Sequence, residues 1–188
     1  MQKNTETPEG MLRVVVQAMR EGGRSLSQVL NELPAAIYIT DPKGVVTHYN
    51  QTCNAFAGRK PRVGSDSWCV TWKLFTEAGE YLPHDRCPMA VAIRERRAIR
   101  GVRAVAERPD GKYVSFQPYP TPLFDDAGNL VAAINLLTEV TGLMQAHTLR
   151  AQAARCRRLV NLWPDRRGVV ISMAAEYDRK ALAIEQRH

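Results

Sequence analysis

The sequence predicts an α+β fold in which short antiparallel strands build a sheet and helical segments lie between them and at both ends. Three observations predict it. From Ala35 to Thr141, β-rich runs alternate with Asp/Gly-rich turns. A Pro-initiated helix splits those runs into two strands, then helices, then three strands. Before and after them, apolar residues recur at helical steps.

Over residues 10 to 33, Met11, Leu12, Val15, Val16 and Met19 fall at helical spacing, and Gly22-Gly23 breaks the run. Ser25 is placed as N-cap of a second turn carrying Leu26, Val29, Leu30 and Leu33, which Pro34 ends. A segment this apolar should pack on the domain or on a second copy of itself. Ala36 to Thr40 reads as a strand, Asp41-Pro42-Lys43-Gly44 as a turn, and Val45 to Asn50 as the returning half of a hairpin. Gln51 to Ala57 reads as a short helix closed by Gly58, and polar, irregular sequence follows to Leu82. Pro88 opens a helix through Met89, Ala92 and Ile93 that ends near Arg97. A meander comes next: Gly101 to Glu107, the turn Arg108-Pro109-Asp110-Gly111, Lys112 to Tyr119, the turn Asp125-Asp126-Ala127-Gly128, and Asn129 to Thr138.

Beyond Gly142, Leu143, Leu149, Ala153, Cys156, Leu159 and Val160 form one helical series, which Trp163-Pro164 breaks. Val169, Val170, Met173, Ala174, Tyr177, Ala181 and Ile184 form a second, with Asp165 placed to cap it. The chain thus divides into an N-terminal amphipathic helical segment (1–30), a sheet domain (31–141) and a C-terminal helical hairpin (142–188).

Composition narrows the function classes. With 45% hydrophobic and 24% charged residues in 188, the chain can bury a core, and no apolar run approaches a membrane span. Met1 to Gly10 is polar, so no export signal is expected and a cytoplasmic location follows. Cys53, Cys69, Cys87 and Cys156 show no metal-ligand spacing and are expected to be reduced thiols. The net charge of +7 is uneven: residues 1–141 carry +2 and residues 142–188 carry +5. Arg150, Arg155, Arg157, Arg158, Arg166 and Arg167 could contact phosphates, but no dense basic run or groove-reading motif accompanies them. A solvated helix face is the simpler reading, and nucleic-acid binding is not expected. No nucleophile elbow, paired carboxylates, P-loop or zinc signature occurs, so no enzyme is expected. His147 lies where a phosphorylated histidine would follow a sensor domain, yet too few residues succeed it for an ATP-binding domain.

The stretch LPAAIYITDPKGVVTHYNQTCNAFAG, with Asp41, Gly44, Asn50 and Gly58, resembles the start of a PAS domain. GEYLPHDRCPMAVAIRERRAIRG and ERPDGKYVSFQPYPTPLFDDAGNLVAAINLLTEVT are similar to the family's central helix and closing strands, and the match covers about Leu30 to Thr141. Glu139-Val140-Thr141 stands where the family has an Asp-Ile-Thr signature, which makes Glu139 and Thr141 the expected signal exit. The tail also resembles short helical tails of small alphaproteobacterial proteins, which suggests a shared docking or dimerising hairpin, and a stand-alone bacterial sensor is expected.

The resemblance implies a five-stranded antiparallel sheet of order 2-1-5-4-3 with helices on one face. It also implies a cavity between them, where members bind haem, flavin, small metabolites or nothing. By position, Phe56, Trp68, Trp72, Ile93, Val105, Phe116 and Ile134 are the pocket candidates, and a fully packed core is the equal alternative. Flavin is disfavoured, since Ser67 stands where the reactive thiol follows the loop glycine. Haem is not expected, since the helix from Pro88 carries no histidine; His84, in the loop before it, is a weak metal candidate. Cys87-Pro88 resembles a regulatory haem dipeptide, against the plain reading of a helix-start proline beside a buried thiol. The expected protein is a sensor that takes a small molecule or partner protein as its cue. It is expected to form a homodimer and to pass the signal to another signalling protein through its flanking helices. The alternatives are a nucleic-acid-binding transcriptional regulator and a haem or redox sensor.

Overall fold

All five residues of β1 (Ala36–Thr40) are buried, a pattern that only a strand covered on both faces can show. The computed structural model describes residues 7–21, 25–140, 143–160, 162 and 164–186. In it β1 joins β2 (Val46–Tyr49), β3 (Lys73–Phe75), β4 (Ala104–Glu107), β5 (Tyr113–Phe124) and β6 (Leu130–Glu139) in one sheet of order β2-β1-β6-β5-β4-β3. Every pairing is antiparallel. The five expected strands keep their expected order, and β3 is added at the edge.

Nothing in the periodicity of a three-residue strand distinguishes β3 from loop. Partners define it: Lys73 stands opposite Glu107 and Phe75 opposite Val105 on β4, while Tyr81 bridges Phe75 on the other side. β5 is longer than its sequence suggests, running past Tyr119 through Pro120 and Pro122. Proline cannot donate to a ladder. The three even-numbered prolines, Pro118, Pro120 and Pro122, pair with β6 on one side only, because β4 ends opposite Phe116. On the open side, the Pro120 carbonyl accepts from Ile99 N and the Arg100 guanidinium at 3.2 and 3.0 Å.

The turns form as their residues dictate. Asp41 Oδ1 accepts the backbone N–H of Lys43 and Val45, and Gly44 takes φ 86°. α3 (Thr52–Ala57) ends at left-handed Gly58, and α4 (Pro88–Glu95) starts with proline at its first position. These two helices pack on the inner face with Cys53, Phe56, Met89 and Ile93.

The outer face is covered as well, by the flanking helices. α1 (Pro8–Glu21) lays Met11, Leu12 and Val15 on Ile37, Ile39, Ile134 and Leu136, and Leu30 of α2 (Leu26–Asn31) joins them. α5 (Leu143–Leu159) packs against β5 and against α6 (Arg167–Glu185). Among the described residues of the hairpin, the buried positions are Ala146, Ala153, Val170, Ala174 and Ala181. Val169 and Met173, expected in its seam, are exposed. Of the two expected caps, one holds and one is corrected. Ser25 occupies the N-cap position of α2, with its carbonyl rather than its side chain accepting Gln28 N and Val29 N. Asp165 sits inside a 3-10 turn, Pro164–Arg166, so that Arg166 holds the N-cap position of α6. The expected breaks at Gly22-Gly23 and Trp163 lie outside the described residues.

Candidate functional site

The inner face is built on β1. Its alternation turns Ala36 and Tyr38 toward α3 and α4, and Ile37 and Ile39 toward α1. Tyr38 is fully buried, which obliges its hydroxyl to find partners. It donates to the Trp68 carbonyl at 2.8 Å and accepts from Asn135 Nδ2 at 2.9 Å. Asn135 Oδ1 in turn accepts from Tyr119 N at 3.1 Å. One chain of hydrogen bonds therefore joins the loop between α3 and β3, the centre of β1, β6 and β5.

Trp68 anchors that chain in an unusual backbone conformation. Its φ is 67°, rare for a bulky residue and strained unless its surroundings impose it. They do: Trp68 N donates to Gly44 O at 2.7 Å, and the indole lies so close to Gly44 that a Cβ there would stand 2.2 Å from Cε3. The Trp68 carbonyl also lies 3.8 Å from the Cys87 thiol at the start of α4.

Of the seven pocket candidates, the structure brings together Phe56, Trp68, Ile93 and Phe116 on the inner face. Phe56 meets Phe116 edge to face, with centroids 5.1 Å apart. The other three lie elsewhere. Trp72 is 44% exposed with Lys73 Nζ over its ring, while Val105 and Ile134 have the opposite strand parity. Both faces of those strands are apolar because both are covered, so composition alone does not reveal parity.

The interior of the site is packed rather than hollow. Tyr38, Phe56, Leu74 and Met89 are almost wholly buried against one another's elements, and the small residues Ala104, Ala106 and Ala133 bring helices close to the sheet. A flavin or haem ring system does not fit this arrangement without displacing them. Burial pushes the Cys53 and Cys87 thiols up to about 12 and holds the Tyr38 phenol well above its usual range, so all three are neutral at physiological pH. Cys69 is buried and accepts a hydrogen bond from Thr71 Oγ1 at 3.1 Å; Ser67 is half-buried.

His84 begins the 3-10 turn before α4. Burial, and then the charge of Arg59, lowers its pKa, and its buried Nε2 has no hydrogen-bond partner among the described residues. Arg59 binds Asp66 at 2.7 Å and donates to Thr71 O at 3.2 Å. Among the described residues, no group of three or more His, Cys, Asp or Glu is gathered to hold a metal.

At the exit, Glu139 ends β6 and lies 3.8 Å from Arg108, whose Nε donates to Phe56 O at 2.9 Å. Val140 N donates to Ser115 O at 2.9 Å. Thr141 and the side chain of His147 lie outside the described residues. Sequence reasoning missed Tyr38, Asn135 and Arg108. Asn135 carried a signal, being the one polar residue in the apolar run Leu130 to Leu137. Asn50 fixes the entry: its Nδ2 donates to Leu30 O and Ala35 O, and its Oδ1 accepts from Ile37 N and Cys53 N.

An antiparallel sheet cupping short helices, entered and left through helical segments, defines an α+β domain. The sequence matches the family described as PAS fold over residues 30–145, more than half of the chain. The chain belongs to the PAS-fold family. Among solved structures it is similar to the LOV protein of Rhodobacter sphaeroides, with 12% identity and a TM-score of 0.47 over 96% of this chain and 97% of that one. It is similar also to an RNA-binding light-oxygen-voltage receptor (19% identity, TM-score 0.47, 70% of this chain and 36% of that one). A third likeness is the PAS domain of a Colwellia psychrerythraea protein (13% identity, TM-score 0.42, 67% and 98%). No curated protein matches the sequence. No described helix is long and apolar enough to cross a membrane.

Proposed function

We propose that this PAS protein is a non-catalytic relay of the bacterial cytoplasm: a cue taken at the sheet changes how the flanking helices meet a second copy or another signalling protein. One observation carries the reading. The buried chain Trp68–Tyr38–Asn135–Tyr119 couples the strained loop to β6, and β6 leads through Glu139 and Val140 toward α5. A buried polar network of this kind holds one arrangement strongly while complete and weakly once a member is lost. A small molecule or partner that moves the loop at Trp68 would therefore shift the register at which β6 delivers the hairpin. Phe56 and Arg108 form a second path to the same exit, from α3 to Glu139.

Neither alternative gains support. Arg150 and Arg157, two of the arginines that could meet phosphates, are paired with Glu185 and Asp178. The test is hydrogen exchange on the whole chain carrying Tyr38→Phe. Faster exchange is expected at Val140 and along α5 as well as around Trp68. If exchange rises around Trp68 while α5 and α6 are unchanged, the relay reading is wrong.

A further inference from the structure

The hydroxyl of Ser115 is buried and has no hydrogen-bond partner among the described residues. Ser115 is 6% exposed on β5, where it stands opposite Val105 of β4. Its carbonyl accepts from Val140 N at 2.9 Å, so the side chain alone is left over. A hydroxyl buried in that condition burdens the fold, and removing it is neutral or favourable.

This hydroxyl does not face solid protein. Ser115 lines a cavity of about 10 Å³ between the sheet and the C-terminal end of α6. Val105 and Val140 supply apolar wall, and Glu77, Arg103 and Glu185 supply charged wall. The space is that of a single water molecule and too small for an organic ligand. The charges around it cancel: Arg150 forks onto Glu185 at 2.8 and 2.6 Å, and Arg103 lies 3.8 Å from Glu77. Two carboxylates against two guanidiniums leave no net charge to hold an ion, so the occupant that fits is neutral. It must also donate and accept. The hydrogen bonds of Arg150 hold the Glu185 carboxyl below its usual range, so that group is ionised at neutral pH and only accepts, whereas Arg103 only donates.

We propose that this cavity binds one ordered water, which joins the Ser115 hydroxyl to the Glu185 carboxylate and so seats the C-terminal end of α6 on the sheet. A bridging water serves two such groups nearly as well as a direct hydrogen bond. The bridge is separate from the Trp68–Tyr38–Asn135–Tyr119 chain and does not depend on the relay function. Where the relay moves α6, this is the contact that must give.

Two measurements test it. A high-resolution crystal structure of the whole chain should show one water within hydrogen-bond distance of both Ser115 Oγ and a carboxylate oxygen of Glu185. A dry cavity overturns the proposal, as does an anomalous signal there in crystals grown with rubidium chloride, which would mark a cation site. Native-state hydrogen exchange then reads what the hydroxyl does. In a Ser115→Ala chain the amides of Ala181, Leu182 and Ala183 should exchange about fivefold faster, while those of β1 and β6 keep their rates. The sign decides the matter, because a hydroxyl without a partner is removed at no loss. Exchange in α6 that is unchanged or slower overturns the proposal, and so does an equal rise in β1 and β6. The relay function stands or fails separately, by exchange in the Tyr38→Phe chain, where Ser115 and its cavity are intact.

Discussion

Gly44 and Trp68 define each other, and that gives the sharpest residue-scale expectation. Gly44 has φ 86° and an indole where a Cβ would go, whereas Gly111 has φ 80° and open space around it. Both substitutions to alanine strain the backbone, but only Gly44→Ala must also move the ring. Urea unfolding should show a loss of about 3 kcal/mol for Gly44→Ala and about 1 kcal/mol for Gly111→Ala. Equal losses would mean that Trp68 yields freely and is not held in its strained conformation. His84 gives a pH dependence. Its folded pKa lies below the usual 6.5, so the unfolded chain takes up its proton first as pH falls. Stability is therefore whole above about 6.5 and declines as pH drops below it, levelling once the folded form is protonated too. A His84→Gln chain should lose that slope in denaturant midpoints measured between neutral and mildly acid pH; an unchanged slope assigns it to other groups. The sequence marked Gly44 by its turn and His84 by its chemistry. It did not mark Trp68's conformation, because positive φ in a tryptophan comes from its neighbours.

Among the elements, those with a strong local signature were legible and those defined by partners were not. The β1–β2 hairpin, α3 with Gly58 and α4 with Pro88 each carry their own start and stop, and each forms where expected. β3 is fixed by Glu107 and Val105 across the ladder, and the end of β5 by β6, so neither is visible in a window of sequence. Strand parity was lost for the same reason, which misplaced Val105 and Ile134. The outer face instead reveals what α1 does. Val15 is fully buried against a sheet surface of Ile37, Ile134 and Leu136, so α1 is part of the domain's second core. A carboxylate there would be buried among apolar side chains. Val15→Asp should cost about 3 kcal/mol and raise the binding of a hydrophobic dye. If stability and dye binding are both unaffected, α1 does not cover the outer face in solution.

Taken as a whole, the molecule joins regions held by unlike forces. The sheet and its two faces are held by large apolar side chains: Tyr38, Phe56, Leu30, Ile37, Leu74 and Met89 are among the most deeply buried. The hairpin is held by alanines in its seam and by ion pairs at its rim, Arg150 with Glu185 and Arg157 with Asp178. Small side chains bury little area, and half-exposed ion pairs contribute about 1 kcal/mol or less and weaken with salt. The hairpin should therefore open without the sheet, as a separate cooperative unit. Native-state hydrogen exchange at rising denaturant should show α5 and α6 exchanging through a sub-global opening, well before the central strands β1 and β6. Added salt should hasten that opening while leaving the strands unchanged. A relay needs this difference, because the part that moves must be less stable than the part that senses. Exchange of α5 as slow as that of β6, and indifferent to salt, would make the hairpin one rigid piece with the sheet and remove the physical basis for signalling through it.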